Sequence, residues 1–185
     1  MNPAPCLLVI DTQMGLDDPG YGERNNPRAE SNIATLLRRW RETKLPLVHI
    51  RHCSTEATSP LRPESPGNAF KPEAEPLDGE KVISKQVNSA FVGSSLESHL
   101  RAHGIQSLVL VGLTTDHCVS TTARTASDLG FDVTVVADAT ATHARTASDG
   151  TRISAETIHQ VNLASLQDEF CNIATTNIIL QRLSD

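Results

Sequence analysis

The sequence lacks the features that mark membrane, nucleic-acid-binding and secreted proteins. No segment approaches the run of about 18 apolar residues that a membrane-spanning helix requires. The net charge is −6, and lysine and arginine form no cluster, which argues against a nucleic-acid partner. The first residues contain neither the basic segment nor the cleavage site of a secretory signal. We therefore expect no membrane and no nucleic acid among its partners, and a cytoplasmic location.

Cysteine is scarce, and its spacing argues against cross-links. The four cysteines, Cys6, Cys53, Cys118 and Cys171, include no CxxC pair, so we expect reduced thiols. Hydrophobic residues make up 38% of the 185 residues and charged residues 21%, which is typical of a globular protein. A chain of this length can bury one sizeable core, so we predict a single domain over residues 1–185.

Strand-like apolar runs alternate with segments of helical periodicity along the chain. The predicted strands are Cys6–Ile10, Leu45–Ile50, Lys81–Ser84, Leu108–Val111, Asp132–Ala137 and Cys171–Thr175. The predicted helices are Arg28–Thr43, Ser94–His103, Cys118–Leu129, Ser154–Gln167 and Thr176–Leu183. This alternation predicts an α/β fold with a mainly parallel sheet.

Between the second and third predicted strands the chain has few signals for regular structure. His52–Gly79 carries five prolines, at positions 60, 63, 66, 72 and 76. Loops of this length inside a compact domain are usually functional. We expect this segment to lie beside the functional site as a lid.

Cys118 follows the fourth predicted strand across the turn Gly112–His117 and is predicted to begin a helix. A thiol at a helix N-terminus lies among free backbone N–H groups, which lower its pKa and favour the nucleophilic thiolate. The alternative is a small buried cysteine that fills space at the junction. His117 is expected to point away from the thiol, as neighbouring helical side chains do, and Asp116 is expected to cap the helix.

Two more reactive side chains follow predicted strands. Asp11 ends the first strand and Lys85 follows the third. Each has an ordinary interpretation, Asp11 as a turn cap and Lys85 as a surface charge. In an open parallel sheet, however, ligands bind beyond the carboxyl ends of the strands, where the strand order reverses. With Cys118, these residues would supply a nucleophile, a carboxylate base and a balancing ammonium.

These motifs resemble a known family. The matching segments are LLVIDTQ (Leu7–Gln13), SKQVNSAF (Ser84–Phe91), VGLTTDHCVSTTAR (Val111–Arg124) and, more loosely, DATAT (Asp138–Thr142). The chain is similar to the isochorismatase-like cysteine hydrolases, a superfamily that includes nicotinamidases, N-carbamoylsarcosine amidohydrolase and ureidoacrylate hydrolases. The resemblance implies an Asp11–Lys85–Cys118 catalytic triad. It also implies a three-layer α/β/α fold with a six-stranded parallel sheet in the order 3-2-1-4-5-6.

The resemblance further implies how the reaction is supported. It implies a cis peptide bond at Leu113–Thr114 and an oxyanion hole formed by the N–H groups of Thr114 and Cys118. The family also implies association into a homo-oligomer. Among substrate-binding candidates, Gln13 completes the family's Asp-x-Gln pattern and is expected to orient groups near the site. Asn88 and Phe91 are expected to line the pocket, although Phe91 fits the core equally well.

The chain departs from the family at the position of the nicotinamidase metal site. The corresponding stretch, HIRHCSTEATSP, contains no Asp-x-His pair. His49 and His52 are three residues apart, which places them on opposite faces of a strand. We therefore predict no metal and no cofactor, and nicotinamide is doubtful as the substrate. Arg51 and His52 could instead contact the substrate, and an arginine would suit a carboxylate.

The sequence therefore supports three functional hypotheses. The first is a metal-independent cysteine hydrolase that cleaves a small C–N substrate, such as an amide, ureido or carbamoyl compound, through a Cys118 thioester. The second keeps the site but hydrolyses the vinyl ether of isochorismate. The third is a non-catalytic binding or oligomeric module on the same scaffold.

Overall fold

A six-stranded parallel sheet forms the centre of the fold. The computed structural model describes residues 4–183, and the outermost residues of the predicted domain, Met1–Pro3 and Ser184–Asp185, lie outside it. The strands are β1 Cys6–Ile10, β2 Leu47–His52, β3 Lys81–Lys85, β4 Ser107–Leu113, β5 Asp132–Ala141, β6 Arg145–Thr146, β7 Arg152–Ile153 and β8 Asn172–Ala174. The sheet order is β3-β2-β1-β4-β5-β8, and β6 and β7 form a separate antiparallel ribbon. The predicted order is confirmed, with β8 as the sixth strand of the sheet.

Helices cover both faces of the sheet. They are α1 Ala29–Thr43, α2 Leu96–Ala102, α3 Ser120–Asp128, α4 Ala155–Leu166 and α5 Thr176–Arg182. Side chains alternate along each strand, so Leu7 and Val9 face α1 and α5, whereas Leu8 and Ile10 face α2, α3 and α4. The predicted three-layer arrangement is therefore confirmed. Among the described helices, none has the length and apolar character needed to cross a bilayer.

Several predicted boundaries are wrong for local reasons. The second strand begins at Leu47 rather than Leu45, because the Leu45 N–H instead caps α1 by donating to the Trp40 carbonyl. The fifth strand continues past Ala137 to Ala141, because Thr140 and Ala141 pair with the end of β4. The chain after Ala137 therefore continues as sheet to Ala141 and then forms the β6–β7 ribbon.

The proline-rich segment after β2 is packed against the loop that follows β1. The Lys71 ammonium is buried and lies 2.5 Å from Asp17 and 2.7 Å from Glu30. The Gln13 side chain accepts a hydrogen bond from the His52 N–H at 2.8 Å and donates to the Asn68 carbonyl at 2.9 Å. These contacts fix the segment beside the carboxyl edge of the sheet.

Candidate active site

Asp11 is brought to the carboxyl edge of the sheet by the close contact of β1 and β4. Ile10 and Gly112 are paired across these strands, and a Cβ atom on Gly112 would lie 1.9 Å from the Ile10 carbonyl oxygen. Only glycine therefore fits there. Asp11 itself has a φ of 46°, a left-handed conformation that ends the strand. Its side chain is 1% exposed.

Lys85 connects the ends of three strands. From β3 its side chain reaches past His52, its pairing partner on β2, to the end of β1. The Lys85 Nζ atom lies 2.6 Å from Asp11 Oδ2, 3.3 Å from Cys118 Sγ, 3.1 Å from His52 Nδ1 and 3.1 Å from the Val87 carbonyl oxygen. An ammonium has three protons for these four acceptors. The sequence placed Lys85 at this edge but did not predict the intervening His52.

Cys118 does not begin a helix as predicted. It lies inside a single π-helical turn, Thr115–Val119, which leads directly into α3. The predicted low thiol pKa is also wrong. Burial raises the pKa of the Cys118 thiol, the Asp11 carboxylate raises it further, and the Lys85 ammonium offsets only part of this rise. The resting thiol is consequently protonated near neutral pH and needs a base before it can act as a nucleophile.

This pKa direction predicts slow alkylation of Cys118. At pH 7.5, iodoacetamide should label Cys118 at least about tenfold more slowly than a free cysteine, because the thiolate is the reactive form. The Asp11→Asn variant should label faster, since the charge that raises the thiol pKa is removed. Mass spectrometry of the Cys118 peptide would measure both rates separately from Cys53. Rapid labelling of the unmodified protein at pH 7.5 would contradict the raised pKa.

A cavity of about 320 Å³ opens above this cluster. Asp11, Cys118 and Thr114 form its floor, and its walls include Tyr21, Arg145 and Leu61. This volume is at the low end of the range for small-molecule sites. The described residues of one chain thus enclose a pocket of the size expected for a small substrate.

His52 lies between Lys85 and the cavity. Because the Lys85 ammonium can only donate, His52 Nδ1 must accept that hydrogen bond, which places the imidazole proton on Nε2. Burial lowers the pKa of His52, and the charge of Lys85 lowers it further, so the ring is neutral near pH 7. His52 lines the cavity and can therefore present an N–H donor there.

The structure separates the other predicted substrate contacts. Asn88 lines the cavity, with its Oδ1 atom 3.8 Å from Cys118 Sγ. Gln13 does not line it, because its side chain is buried in hydrogen bonds that hold the loop backbone. Phe91 also lies outside the cavity and packs on Phe131 in the core. Arg51 points elsewhere, with its guanidinium 4.8 Å from the centre of a phenylalanine ring.

The residues just before the thiol differ from the prediction. His117 does line the rim of the cavity, and its Nε2 atom lies 3.4 Å from Asp116 Oδ2. Asp116 is not a helix cap. It accepts a hydrogen bond from the Thr142 hydroxyl and two contacts of 2.9 Å from Arg145, through Nε and Nη2. Arg145 also lines the cavity, and the sequence analysis did not identify it. In the sequence it lies in a polar segment, two positions after His143, and no motif distinguishes it from its neighbours.

The cis peptide bond implied by the resemblance is present at Leu113–Thr114. Thr114 is buried, and both Thr114 and Cys118 line the cavity. Their backbone positions make them the candidates for binding a negatively charged oxygen next to the thiol.

One group of potential metal ligands occurs in the described part of the chain. Donor atoms of Asp11, His52 and Cys118 lie within 4.8 Å of one another. The Lys85 ammonium, however, contacts all three, so a positive charge already occupies the position that a cation would take. His49 belongs to a separate contact, with its Nε2 atom 2.9 Å from Glu80. This donor set does not fit a resident metal ion.

Comparison with known proteins identifies the family. A model of the isochorismatase domain matches residues 5–178. The uncharacterised isochorismatase family protein YrdC of Bacillus subtilis is 42% identical, over 97% of this chain and 96% of that protein. Maleamate amidohydrolase of Pseudomonas putida is 32% identical, over 97% of this chain and 86% of that protein.

Solved structures agree with this result. An isochorismatase-family protein from Chromobacterium violaceum superposes with a TM-score of 0.95 at 48% identity, over 98% of this chain and 94% of that one. The fold and these matches define a hydrolase of the three-layer α/β class. The chain belongs to the isochorismatase family.

Proposed function

We propose that this protein is a cysteine hydrolase that cleaves the C–N bond of a small amide, ureido or carbamoyl compound. The observation that carries the proposal is the contact of one ammonium, Lys85 Nζ, with both Asp11 at 2.6 Å and Cys118 Sγ at 3.3 Å on the floor of a small cavity. A buried carboxylate, a thiol and a lysine in mutual contact form a nucleophile with its own base. The similarity to maleamate amidohydrolase supports an amide substrate.

The first step is proton transfer within the cluster. The buried Asp11 carboxylate is held by the Lys85 ammonium, whose Nζ atom lies 2.6 Å from Oδ2, and its side-chain hydrogen bond with Cys118 helps to raise the thiol pKa. Asp11 is therefore available to take the Cys118 thiol proton. The resulting thiolate lies beside the Lys85 ammonium, which stabilises its charge while the sulfur attacks the substrate carbonyl carbon.

The second step breaks the C–N bond. As the carbonyl oxygen gains negative charge, the N–H groups of Thr114 and Cys118 stabilise it as an oxyanion hole. The protonated Asp11 returns its proton to the leaving nitrogen, which departs as ammonia or an amine. The acyl group remains on Cys118 as a thioester. The His52 Nε2–H group and Asn88 contribute hydrogen bonds to the substrate.

Water completes the cycle. With Asp11 again ionised, it takes a proton from a water molecule that attacks the thioester carbonyl. The product leaves as a carboxylic acid from an amide, or as a carbamic acid from a ureido or carbamoyl compound, and the thiolate recovers the proton through Asp11. Every proton transfer in this sequence uses the same carboxylate, and no metal ion is required.

A screen for ammonia release tests the proposal. Small amides, including maleamate, and ureido and carbamoyl acids should be offered to the protein, with the Cys118→Ala variant as control. The expected result is turnover of at least one compound, loss of that turnover in the variant, and a mass increase on the Cys118 peptide after rapid acid quenching. Turnover that persists in Cys118→Ala would contradict the mechanism. Pyruvate release from isochorismate without any C–N cleavage would favour vinyl-ether hydrolysis instead.

A further inference from the structure

His159, on α4, is a buried histidine that the proposed reaction does not use. It is 2% exposed and does not line the cavity. Burial lowers its pKa, and the Glu156 charge, a hydrogen bond to the Ala137 backbone and the Asp116 charge offset only part of this, so the ring is neutral near pH 7. Its Nδ1 atom lies 2.8 Å from the Thr115 hydroxyl oxygen.

Thr115 is the first residue of the π-helical turn that carries Cys118. It is fully buried, and its carbonyl oxygen accepts a hydrogen bond from the Ser120 N–H group, just after the turn. The preceding carbonyl, that of Thr114, accepts from the Val119 N–H group at 3.2 Å. Thr115 therefore lies between Thr114 and Cys118, whose N–H groups form the proposed oxyanion hole. A contact that holds Thr115 holds both of these residues.

The hydrogen bonds around His159 determine which ring nitrogen carries the proton. The Asn26 amide donates to two carbonyl oxygens of β5, those of Thr140 at 2.7 Å and Ala137 at 3.0 Å, which use both of its protons. It therefore has no proton for His159 Nε2, which lies 3.4 Å away. Nε2 keeps its own proton for the Ala137 backbone. Nδ1 is consequently the acceptor and the Thr115 hydroxyl the donor, and the imidazole links β5 to the π-helical turn.

We propose that His159 is a positioning residue, which holds the π-helical turn through the Thr115 hydroxyl so that the Cys118 sulfur and the oxyanion hole face the same carbonyl group. The inference rests on the proposed function, because it assigns His159 a part in the attack by Cys118. Single π-helical turns are rare and occur mostly at functional sites. A displacement of about 1 Å in such a site can cost about 100-fold in rate.

Two substitutions of similar shape test the contact. Asparagine at position 159 places an oxygen near the position of Nδ1 and can accept the same hydrogen bond, whereas leucine cannot. His159→Asn should therefore keep the contact, and His159→Leu should lose it. Thr115→Val removes the donor with little change of shape. His49→Leu is the control for losing a buried histidine, because His49 is 0% exposed and pairs with Glu80 outside the cavity.

Alkylation of Cys118 measures the position of the turn without any substrate. Burial is the largest cause of the raised pKa of this thiol. A displaced turn exposes the thiol to water, so iodoacetamide at pH 7.5 should label Cys118 about 3- to 10-fold faster in His159→Leu and in Thr115→Val. His159→Asn and His49→Leu should label Cys118 as the unmodified protein does. Equally accelerated labelling of the buried Cys6 and Cys171 would indicate general unfolding and would overturn the inference.

Kinetics on an amide that the unmodified protein hydrolyses give a second measurement. His159→Leu should lower kcat by about 10- to 100-fold and leave KM within about threefold, because the reacting groups move and the binding contacts do not. The double variant His159→Leu with Thr115→Val loses both partners, so its thermal unfolding midpoint should recover while kcat stays low. Recovery of kcat together with stability, or equal losses of kcat in His159→Asn and His159→Leu, would overturn the inference.

The two measurements separate this inference from the proposed hydrolysis. If the labelling of Cys118 changes as expected but no amide is hydrolysed, the positioning contact stands and the proposed function fails. If amides are hydrolysed and His159→Leu neither labels faster nor turns over more slowly, the proposed function stands and the positioning role of His159 fails.

Discussion

Replacing Asp11 with asparagine should lower kcat for amide hydrolysis by about 10³-fold, the usual contribution of a positioned acid–base group. Asparagine suits the backbone, because Asp11 has a φ of 46° and asparagine tolerates this left-handed region. The protonated Cys118 thiol would then have no carboxylate to receive its proton. Since the thiolate fraction rises with pH below the thiol pKa, the residual rate should increase from pH 7 to 9. Steady-state rates across this range would measure the effect.

A control is needed because Asp11→Asn leaves the Lys85 charge buried without its partner. Breaking a buried ion pair costs about 3–5 kcal/mol, whereas replacing both partners is often neutral. The double variant Asp11→Asn with Lys85→Met should therefore regain stability in thermal unfolding and stay inactive. The single variant should also alkylate at Cys118 faster than the unmodified protein while hydrolysing more slowly. Full activity of Asp11→Asn at pH 7 would exclude Asp11 as the base.

Gly112→Ala should prevent folding or lower the free energy of unfolding by more than about 4 kcal/mol. The new Cβ atom would lie 1.9 Å from the Ile10 carbonyl oxygen, and Gly112 has a φ of 120°. Removing this steric clash would require the two central strands, β1 and β4, to separate. Soluble yield and the thermal unfolding midpoint would report this effect.

Gly104→Ala is the matched comparison for Gly112→Ala. Gly104 has a φ of 66°, also in the positive region, but among the described residues no neighbouring atom would lie within 4 Å of a Cβ atom added there. Gly104→Ala should lower the free energy of unfolding by about 1–2 kcal/mol, from backbone strain alone. If Gly112→Ala were no more destabilising than Gly104→Ala, the close approach of β1 and β4 would not constrain the fold.

The sheet could be predicted because its strands are short apolar runs between polar segments. Cys6–Ile10 was placed without error, since each of its residues is buried and Asp11 ends the run. The strand order came from the family resemblance rather than from periodicity. The continuation of β5 to Ala141 could not be predicted, because its small residues take the strand conformation by pairing with β4.

The floor of the site could be predicted better than its walls. Asp11, Lys85 and Cys118 follow strands of one parallel sheet, so topology alone brings them to one edge. The thiol pKa was predicted in the wrong direction, because burial and the Asp11 charge depend on the packed structure. Arg145 was missed for a similar reason, since its placement depends on the Asp116 contact, which joins residues 29 positions apart.

The ion pair on the cavity floor has a consequence for the balance of charge during turnover. At rest, Asp11 and Lys85 carry opposite charges and the thiol is neutral, so the group sums to zero. After the proposed proton transfer, the acid is neutral and the thiolate and ammonium again cancel. The low-dielectric floor thus never has to accommodate an additional net charge. The negative charge moves from the Asp11 carboxylate to the Cys118 sulfur, and both groups contact the Lys85 ammonium. In the proposed mechanism, Lys85 is therefore a stationary counterion, and only the proton changes position.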